Sequence, residues 1–376
     1  MPGIYLHIPF CKQACHYCDF HFSTLLKYKD DFVKALCTEI ELQKNFFGDK
    51  IKIDTLYFGG GTPSMLSGDE LNKILDVLFS CYNISPDAEI TLEANPDDLT
   101  IEKLRVIKNT VINRFSVGVQ SFHEKDLIYL NRVHNSQEAI SAVKRSQDTG
   151  IENITVDLIY GIPTLPDEGW KKNLEMAVSL DIKHLSAYCL TIERGTALNN
   201  LIQKKRIQNI DEIQSSQHFE MLMNFMEEKK FIQYEISNFC REGFYSKHNS
   251  SYWKGEHYLG LGPSAHSYNG STRKWNVANN QEYIRNLETG KLKLEEEELS
   301  PNQKYNEYIM TSLRTIWGSD LTNVKENYGE SYYSNLVTEG EKYIRQGYLT
   351  KEKNKFFLTK KGKFIADKIA SDLFIV

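Results

Sequence analysis

The sequence lacks a long apolar run, a secretory signal and an excess of charge of one sign. No stretch of its 376 residues approaches the roughly 20 apolar residues that a membrane-spanning helix needs. The first residues carry no charged segment followed by an apolar one, so no signal peptide is visible. We therefore expect a cytoplasmic protein. The net charge of -5 gives no general attraction to nucleic acid, which makes a nucleic acid partner an unfavoured interpretation.

Internal repeats and low-complexity segments are also missing. The composition is 41% hydrophobic and 25% charged, which is ordinary for a globular protein and excludes disordered and fibrous classes. What the chain does have is 7 cysteines, an odd number, with three of them crowded into residues 11–18. A secreted disulfide framework does not usually look like this. Thiols arranged in this way are typical of metal ligands.

Short β-branched runs alternate with helical patterns through the first 200 residues. Because parallel strands need helical crossovers, this alternation predicts an α/β fold with an incomplete (βα)6 barrel. A doubly wound open sheet is the alternative fold. The strands are predicted at residues 4–8, 55–58, 89–93, 114–120, 153–160 and 184–190.

The pattern changes near residue 200. A long helix is predicted at 211–230, followed by an aromatic, glycine-rich segment and a charged helical tail. The tail ends in helix, strand, Lys-rich turn, strand and helix, which is winged-helix order. We therefore expect a barrel at 1–200, a barrel-associated segment at 201–295 and a smaller, winged-helix-like C-terminal domain at 296–376.

Cys11, Cys15 and Cys18 follow the first predicted strand. A protein-bound 4Fe-4S cluster normally takes four thiolates, so a loop with three leaves one iron open to a chelating ligand. A structural zinc site is the alternative. Zinc takes four ligands in such sites, and His16 or His21 would then supply the fourth.

Further motifs resemble the radical S-adenosylmethionine (SAM) superfamily: residues 5–11 read YLHIPFC and residues 58–64 read FGGGTPS. More narrowly, the chain resembles the oxygen-independent coproporphyrinogen III oxidase family, and within it the haem chaperone branch. Phe20 stands where the oxidases carry a further cysteine, and the chain is too short before Cys11 for the extension that the oxidases carry. Residues 248–253, HNSSYW, resemble the HNxxYW motif of the haem chaperones.

The resemblance implies SAM contacts at the carboxyl ends of successive strands, where barrel sites collect. Carboxylates there suit the ribose hydroxyls and the sulfonium charge of SAM. For any one of these residues, a satisfied polar group at a strand end is the alternative. Gly60, Gly61 and Thr62 are assigned to the methionyl part, Glu93, Gln120 and Asp157 to other polar contacts, Arg132 to the SAM carboxylate, and Tyr5 and Tyr17 to the flanks of the cluster loop.

His248 is a candidate haem ligand, because imidazole is a common axial ligand of haem iron. The neighbouring Tyr252 and Trp253 could supply an aromatic wall for a porphyrin. The alternative makes His248 part of a structural, hydrogen-bonded corner. Cys240 is a second candidate ligand, whereas Cys189 on the sixth predicted strand is expected to lie in the core.

The resemblance leaves two main functions open. One is a chaperone that binds haem and passes it to haem-accepting proteins, with membrane cytochromes as candidates. The other is a coproporphyrinogen III oxidase. Both would use a cluster reduced by a donor such as flavodoxin or ferredoxin to cleave SAM. We expect SAM cleavage but no oxidase activity. An RNA-modifying enzyme is a third interpretation, disfavoured because the tail lysines are typical of a solvated surface.

Overall fold

The computed structural model describes residues 1–48 and 50–376. Six parallel strands follow one another in chain order across a single sheet, as the alternation predicts. Among the described residues, no helix combines the length and hydropathy needed to cross a bilayer. The strands are β1 (Gly3–Ile8), β2 (Ile53–Gly60), β3 (Ile84–Ala94), β4 (Arg114–Gln120), β5 (Ile154–Tyr160) and β6 (His184–Cys189). The helices between them are α1 (Lys29–Leu42), α2 (Gly68–Cys81), α3 (Ile101–Lys108), α4 (Glu124–Tyr129), α5 (Ser136–Asp148) and α6 (Asp167–Ser179).

Later segments extend this sheet at both edges. Strand β9 pairs in parallel with β1, and β8 pairs antiparallel with β6. The resulting order is β12-β11-β10-β9-β1-β2-β3-β4-β5-β6-β8-β7, so β1 and β6 do not meet and the barrel stays incomplete. The added elements are α7 (Ala197–Gln203), α8 (Glu212–Glu228), β7 (Ile232–Gln233), β8 (Asn238–Cys240), α9 (Lys247–Trp253), β9 (Tyr258–Leu261), β10 (His266–Tyr268), β11 (Thr272–Asn276), α10 (Asn280–Glu288) and β12 (Leu294–Glu298).

The two-residue period of β1 explains how the sheet separates core from site. Ile4, Leu6 and Ile8 are fully buried in the main hydrophobic core. Tyr5 and His7 alternate with them and therefore project from the opposite face of the strand. The same division on neighbouring strands leaves one face of the sheet for the core under the helices and the other for polar chemistry.

The last part of the chain has its own core. Tyr305, Leu336 and Phe356 are among its buried side chains. Its elements follow in the order helix, short strand, two helices, a two-stranded hairpin and a last helix. Its elements are α11 (Pro301–Leu313), β13 (Ser319–Asp320), α12 (Leu321–Tyr328), α13 (Glu330–Arg345), β14 (Leu349–Glu352), β15 (Lys355–Leu358) and α14 (Ala366–Asp372).

Candidate cofactor site

A cavity of about 1000 Å³ opens at the carboxyl ends of the parallel strands. It has two regions that differ in the parts of the chain that line them. We call the first the cluster side; it is lined by Cys11, Cys15, Tyr17, Cys18, Gly60, Gly61, Thr62, Glu93, Asn95, Gln120, Arg132 and Asp157. We call the second the C-terminal side; it is lined by Tyr188, Cys189, Leu190, Ser215, Phe219, Ile236, Asn249, Arg314 and residues 363–368.

The three cysteines of the loop after β1 all line the cluster side. Two of their sulfur atoms accept hydrogen bonds, one from a residue that follows β2 and one from a residue that follows α4. The Thr62 hydroxyl donates to Cys11 Sγ over 3.5 Å, and the Arg132 guanidinium donates to Cys15 Sγ over 3.1 Å. A cation and a hydroxyl placed against sulfur suit thiolates that carry negative charge.

The histidines of the same loop have other partners. His16 Nδ1 lies 2.8 Å from the carbonyl oxygen of Tyr129, and His21 Nε2 lies 2.7 Å from Asn280 Oδ1. Both imidazoles are therefore hydrogen-bonded to other groups, and neither is placed as the fourth ligand that the zinc alternative needs.

Burial affects the protonation of two of these thiols. Burial raises the pKa of Cys11 above its usual value and the pKa of Cys18 to about 12. Without a metal these thiols hold their protons, and iron would have to displace them because the thiolate is the ligand. The three sulfur donors, with a guanidinium beside one of them, are a suitable ligand set for a 4Fe-4S cluster with one open iron.

The glycine turn after β2 brings its backbone against the cysteine loop. A methyl group on Gly61 would lie 2.7 Å from the Phe10 carbonyl oxygen and 3.0 Å from Cys11 Sγ. Gly60 has a φ of 109°, a conformation that favours glycine. Both residues line the cavity, so the turn packs closely on the loop and also presents backbone groups to a ligand.

Two carboxyl groups line the cavity, one on β3 and one on β5. Glu93 accepts a hydrogen bond from the Tyr57 hydroxyl over 2.7 Å, and Asp157 accepts one from Ser116 over 3.0 Å. Burial raises the pKa of Glu93 to about 7 and that of Asp157 to about 6. Raised pKa values in a cleft are typical of functional carboxyl groups, and a bound cation would favour their charged forms.

Gln120 ends β4 with a φ of 66°, an uncommon conformation for a residue other than glycine. The register between β4 and β5 shifts between Val117 and Gln120, and such irregularities often re-aim a side chain beside a site. Arg132 lies close by, donating to Asn95 Oδ1 over 2.6 Å as well as to Cys15. Asn95 was not among the residues predicted from the sequence. Its position directly after β3, at the carboxyl end of a parallel strand, is the pattern that would have indicated it.

Tyr5 and His248 do not line the cavity. The Tyr5 ring stacks on Tyr57 and His248 instead. His248 is fully buried, and its Nδ1 and Nε2 atoms are 2.8 Å from Thr55 Oγ1 and 2.9 Å from the Tyr252 hydroxyl. With both nitrogens engaged, His248 has no free position for iron. This favours the structural corner over the candidate haem ligand.

Two further cysteines, Cys189 and Cys240, do not lie where their expected roles would put them. Cys189 is exposed and lines the C-terminal side, so its expected place in the core is wrong. It lies at the last position of β6, where the strand enters the cavity. Cys240 is fully buried on β8 and does not line the cavity, so a haem ligand role for it has no support in its position.

Comparisons with known proteins agree with this fold. Residues 5–177 match the model of the radical SAM superfamily. The solved structure titled "Coproporphyrinogen III oxidase (HemN) from Escherichia coli is a Radical SAM enzyme" covers 99% of this chain and 90% of its own, with a TM-score of 0.86. At 20% identity this likeness is one of fold. Fold and site thus define a radical SAM protein, a class for which a 4Fe-4S cluster and SAM are implied.

Relatives of known name indicate to which family within this class the chain belongs. Heme chaperone HemW of Bacillus subtilis (strain 168) is 34% identical over 374 residues, with 98% of each chain covered. Heme chaperone HemW of Escherichia coli (strain K12) is 34% identical over 267 residues, which is 70% of this chain and 69% of that protein. The chain belongs to the HemW family of radical SAM proteins.

Proposed function

We propose that this protein is a radical SAM haem chaperone, which binds haem and transfers it to haem-dependent acceptor proteins. The observation that carries the proposal is the similarity over 98% of both chains to a protein named heme chaperone HemW. The likeness to the solved oxidase has lower identity, 20%. Phe20, which replaces the additional cysteine of the oxidases, is 68% exposed and lies at the cavity beside the cluster loop.

The cluster side supplies the residues for the two cofactors. Cys11, Cys15 and Cys18 would hold a 4Fe-4S cluster, and the strand-end residues around Glu93 and Asp157 would hold SAM. When bound and reduced, the cluster supplies the electron that splits SAM into methionine and a 5'-deoxyadenosyl radical. This requires a one-electron donor such as flavodoxin or ferredoxin. We place the protein in the cytoplasm, a reducing compartment that suits its seven free cysteines, with membrane cytochromes as candidate haem acceptors.

The decisive test separates haem binding from oxidase chemistry. Anaerobically reconstituted protein is titrated with haem, and saturable binding with a defined Soret band is expected. Haem-loaded protein is then mixed with a haem-free cytochrome, whose own spectrum should appear. In a parallel assay with SAM and a reductant, coproporphyrinogen III should remain unconverted even if SAM is cleaved. Conversion at an enzymatic rate, or an absence of haem binding, would contradict the chaperone function and favour the oxidase.

A further inference from the structure

The cavity continues well beyond the cluster side. Its volume of about 1000 Å³ lies at the upper end of the roughly 300–1000 Å³ of pockets that hold a single drug-sized ligand. The extra space is bounded by α8, the end of β6 and residues 363–368 of the C-terminal unit. The cavity therefore extends beyond the residues assigned to SAM, as far as the last helix of the chain.

Positive charge lines this second region. Arg314, Lys363 and Lys368 all border it. Arg314 pairs with Asp367 over 2.5 Å, but the Asp367 side chain is 83% exposed, and such pairs are weak and easily exchanged. Lys363 Nζ donates to the amide oxygen of Gln233 over 2.7 Å, and no carboxylate of the described chain pairs with it. Gln233 lines a second, smaller pocket and not this cavity, so the Lys363 ammonium turns away from it, and Arg314 is the cation that an anionic ligand would contact here.

The same region of the cavity also has apolar and aromatic walls. Phe219 of α8 and Phe364 meet edge to face with ring centroids 5.2 Å apart, and Phe364 remains 41% exposed. Tyr188 is 45% exposed at the end of β6. Aromatic surface left open inside a cavity offers a large contact area to a flat, apolar ligand.

We propose that the C-terminal side of the cavity is the haem site, with the porphyrin against Phe364 and Tyr188 and a propionate on Arg314. This inference rests on the proposed chaperone function and adds a location to it. Haem is a flat, apolar macrocycle that carries two carboxylates at one edge. A site for it needs an open aromatic surface and a cation, and this region has both.

The position also gives the HNxxYW motif a role without coordination of iron. His248 fixes the corner through Thr55 and Tyr252. Asn249, the next residue, lines the cavity, and the Trp253 ring lies under the Arg314 guanidinium at 5.6 Å from centroid to carbon. The motif thus positions Arg314, the cation assigned here to a propionate.

Haem and haem dimethyl ester, which lacks the propionate charges, are the two probes that test this site. Anaerobically reconstituted wild-type protein should bind haem more tightly than the ester. Arg314→Gln and Arg314→Met should each weaken haem binding about tenfold, the effect of losing one charge-assisted hydrogen bond. Their affinity for the ester should not change. Lys361→Gln is the matched control, because Lys361 belongs to the C-terminal unit but does not line the cavity. Iron content reports correct folding of each variant.

A competition experiment gives an independent answer. Since SAM and haem are assigned to different sides, saturating SAM should leave the haem dissociation constant within about twofold. Displacement of haem by SAM would overturn the proposed position, as would variants that bind haem like the wild type or lose haem and ester equally. In those cases the wild type still binds haem, so the chaperone function stands. If the wild type does not bind haem, the function itself fails.

Discussion

The Arg132 guanidinium donates a hydrogen bond to Cys15 Sγ over 3.1 Å. Its second terminal nitrogen donates to Asn95 Oδ1 and to the Gly118 carbonyl oxygen, so the side chain joins the cysteine loop to the ends of β3 and β4. The sequence resemblance implied a partner for the SAM carboxylate at this position. The structure adds contact with Cys15, which places a positive charge beside the proposed cluster site.

Replacing Arg132 by Gln should lower the reduction potential of the cluster. Hydrogen bonds and charge at the ligand sulfurs set the potential of iron–sulfur centres, and removing a cation disfavours the extra electron. A loss of about 1.4 kcal/mol corresponds to about 60 mV for a one-electron couple. Redox titration followed by EPR measures the shift. Lys12→Gln is the control, because Lys12 belongs to the same loop but pairs with Asp97. An unchanged potential in Arg132→Gln would refute the sulfur contact.

Each loop cysteine should be required for the cluster. Reconstituted wild-type protein should carry about four irons per chain, as a 4Fe-4S centre demands. Cys11→Ala, Cys15→Ala and Cys18→Ala should each lose the broad visible absorption, because no other thiol is expected to replace the missing ligand. Cys81→Ala, at the end of α2, should keep it. A full cluster in the three loop variants would remove the central assignment.

Local sequence patterns predicted most of the elements that build the cluster side. The predicted strand at residues 114–120 coincides with β4, because a run of alternating apolar residues carries its own signal. The cysteine spacing and the glycine turn were equally visible. Parallel strands end at one edge of a sheet, so the sequence alone predicts that the cysteine loop and the glycine turn lie together.

Long-range pairing could not be predicted in this way. The strand β9 lies against β1 although about 250 residues separate them, and nothing in the periodicity of either strand specifies the partner. The same applies to Phe364 and Lys363, which line the cavity from the far end of the chain. Their part in the site depends on how the C-terminal unit packs, and a local pattern does not encode that.

SAM affinity should rise with pH between about 5.5 and 8. The pKa of Glu93 is raised to about 7 and that of Asp157 to about 6, chiefly by burial, so both carboxyl groups are largely protonated at the lower pH. The sulfonium of SAM attracts only their ionised forms, which predominate as pH passes these values. Equilibrium binding to the reconstituted protein measures the change. Glu93→Gln should weaken binding and flatten the curve.

The raised pKa values of Glu93 and Asp157 also make the free energy of unfolding depend on pH, in the opposite direction from SAM affinity. A carboxyl whose folded pKa lies above its ordinary value of 4.5 makes the SAM-free protein less stable as pH rises from there towards 7. Glu93→Gln should reduce that loss, and Glu102→Gln, exposed on α3, should not. A SAM affinity that falls with rising pH would contradict the assignment of both carboxylates.

Cys189 should influence the spectrum of bound haem. Among the residues that the structure describes, no histidine or methionine lines the C-terminal side, whereas the Cys189 thiol does, and a cysteine thiolate is an established haem ligand. Cys189→Ser should therefore shift the Soret band and leave iron content and SAM binding unchanged. Cys240→Ser, buried on β8, is the control and should keep the wild-type spectrum. Identical spectra for wild type and Cys189→Ser would exclude this ligand and leave Tyr188 as the nearest alternative on the same strand.

Replacing His248 by Ala should destabilise the protein without changing the haem spectrum. The imidazole is buried between Thr55 and Tyr252, and burial lowers its pKa to about 3, so it is neutral and bonded at both nitrogens. Its removal leaves the Thr55 and Tyr252 hydroxyls without their hydrogen-bond partner and opens a cavity. We expect this to lower the free energy of unfolding by about 3 kcal/mol. Chemical denaturation measures the loss, and Thr55→Val, which removes one partner, should cost less. A shifted Soret band with unchanged stability would instead restore His248 as an axial ligand and contradict the structural corner.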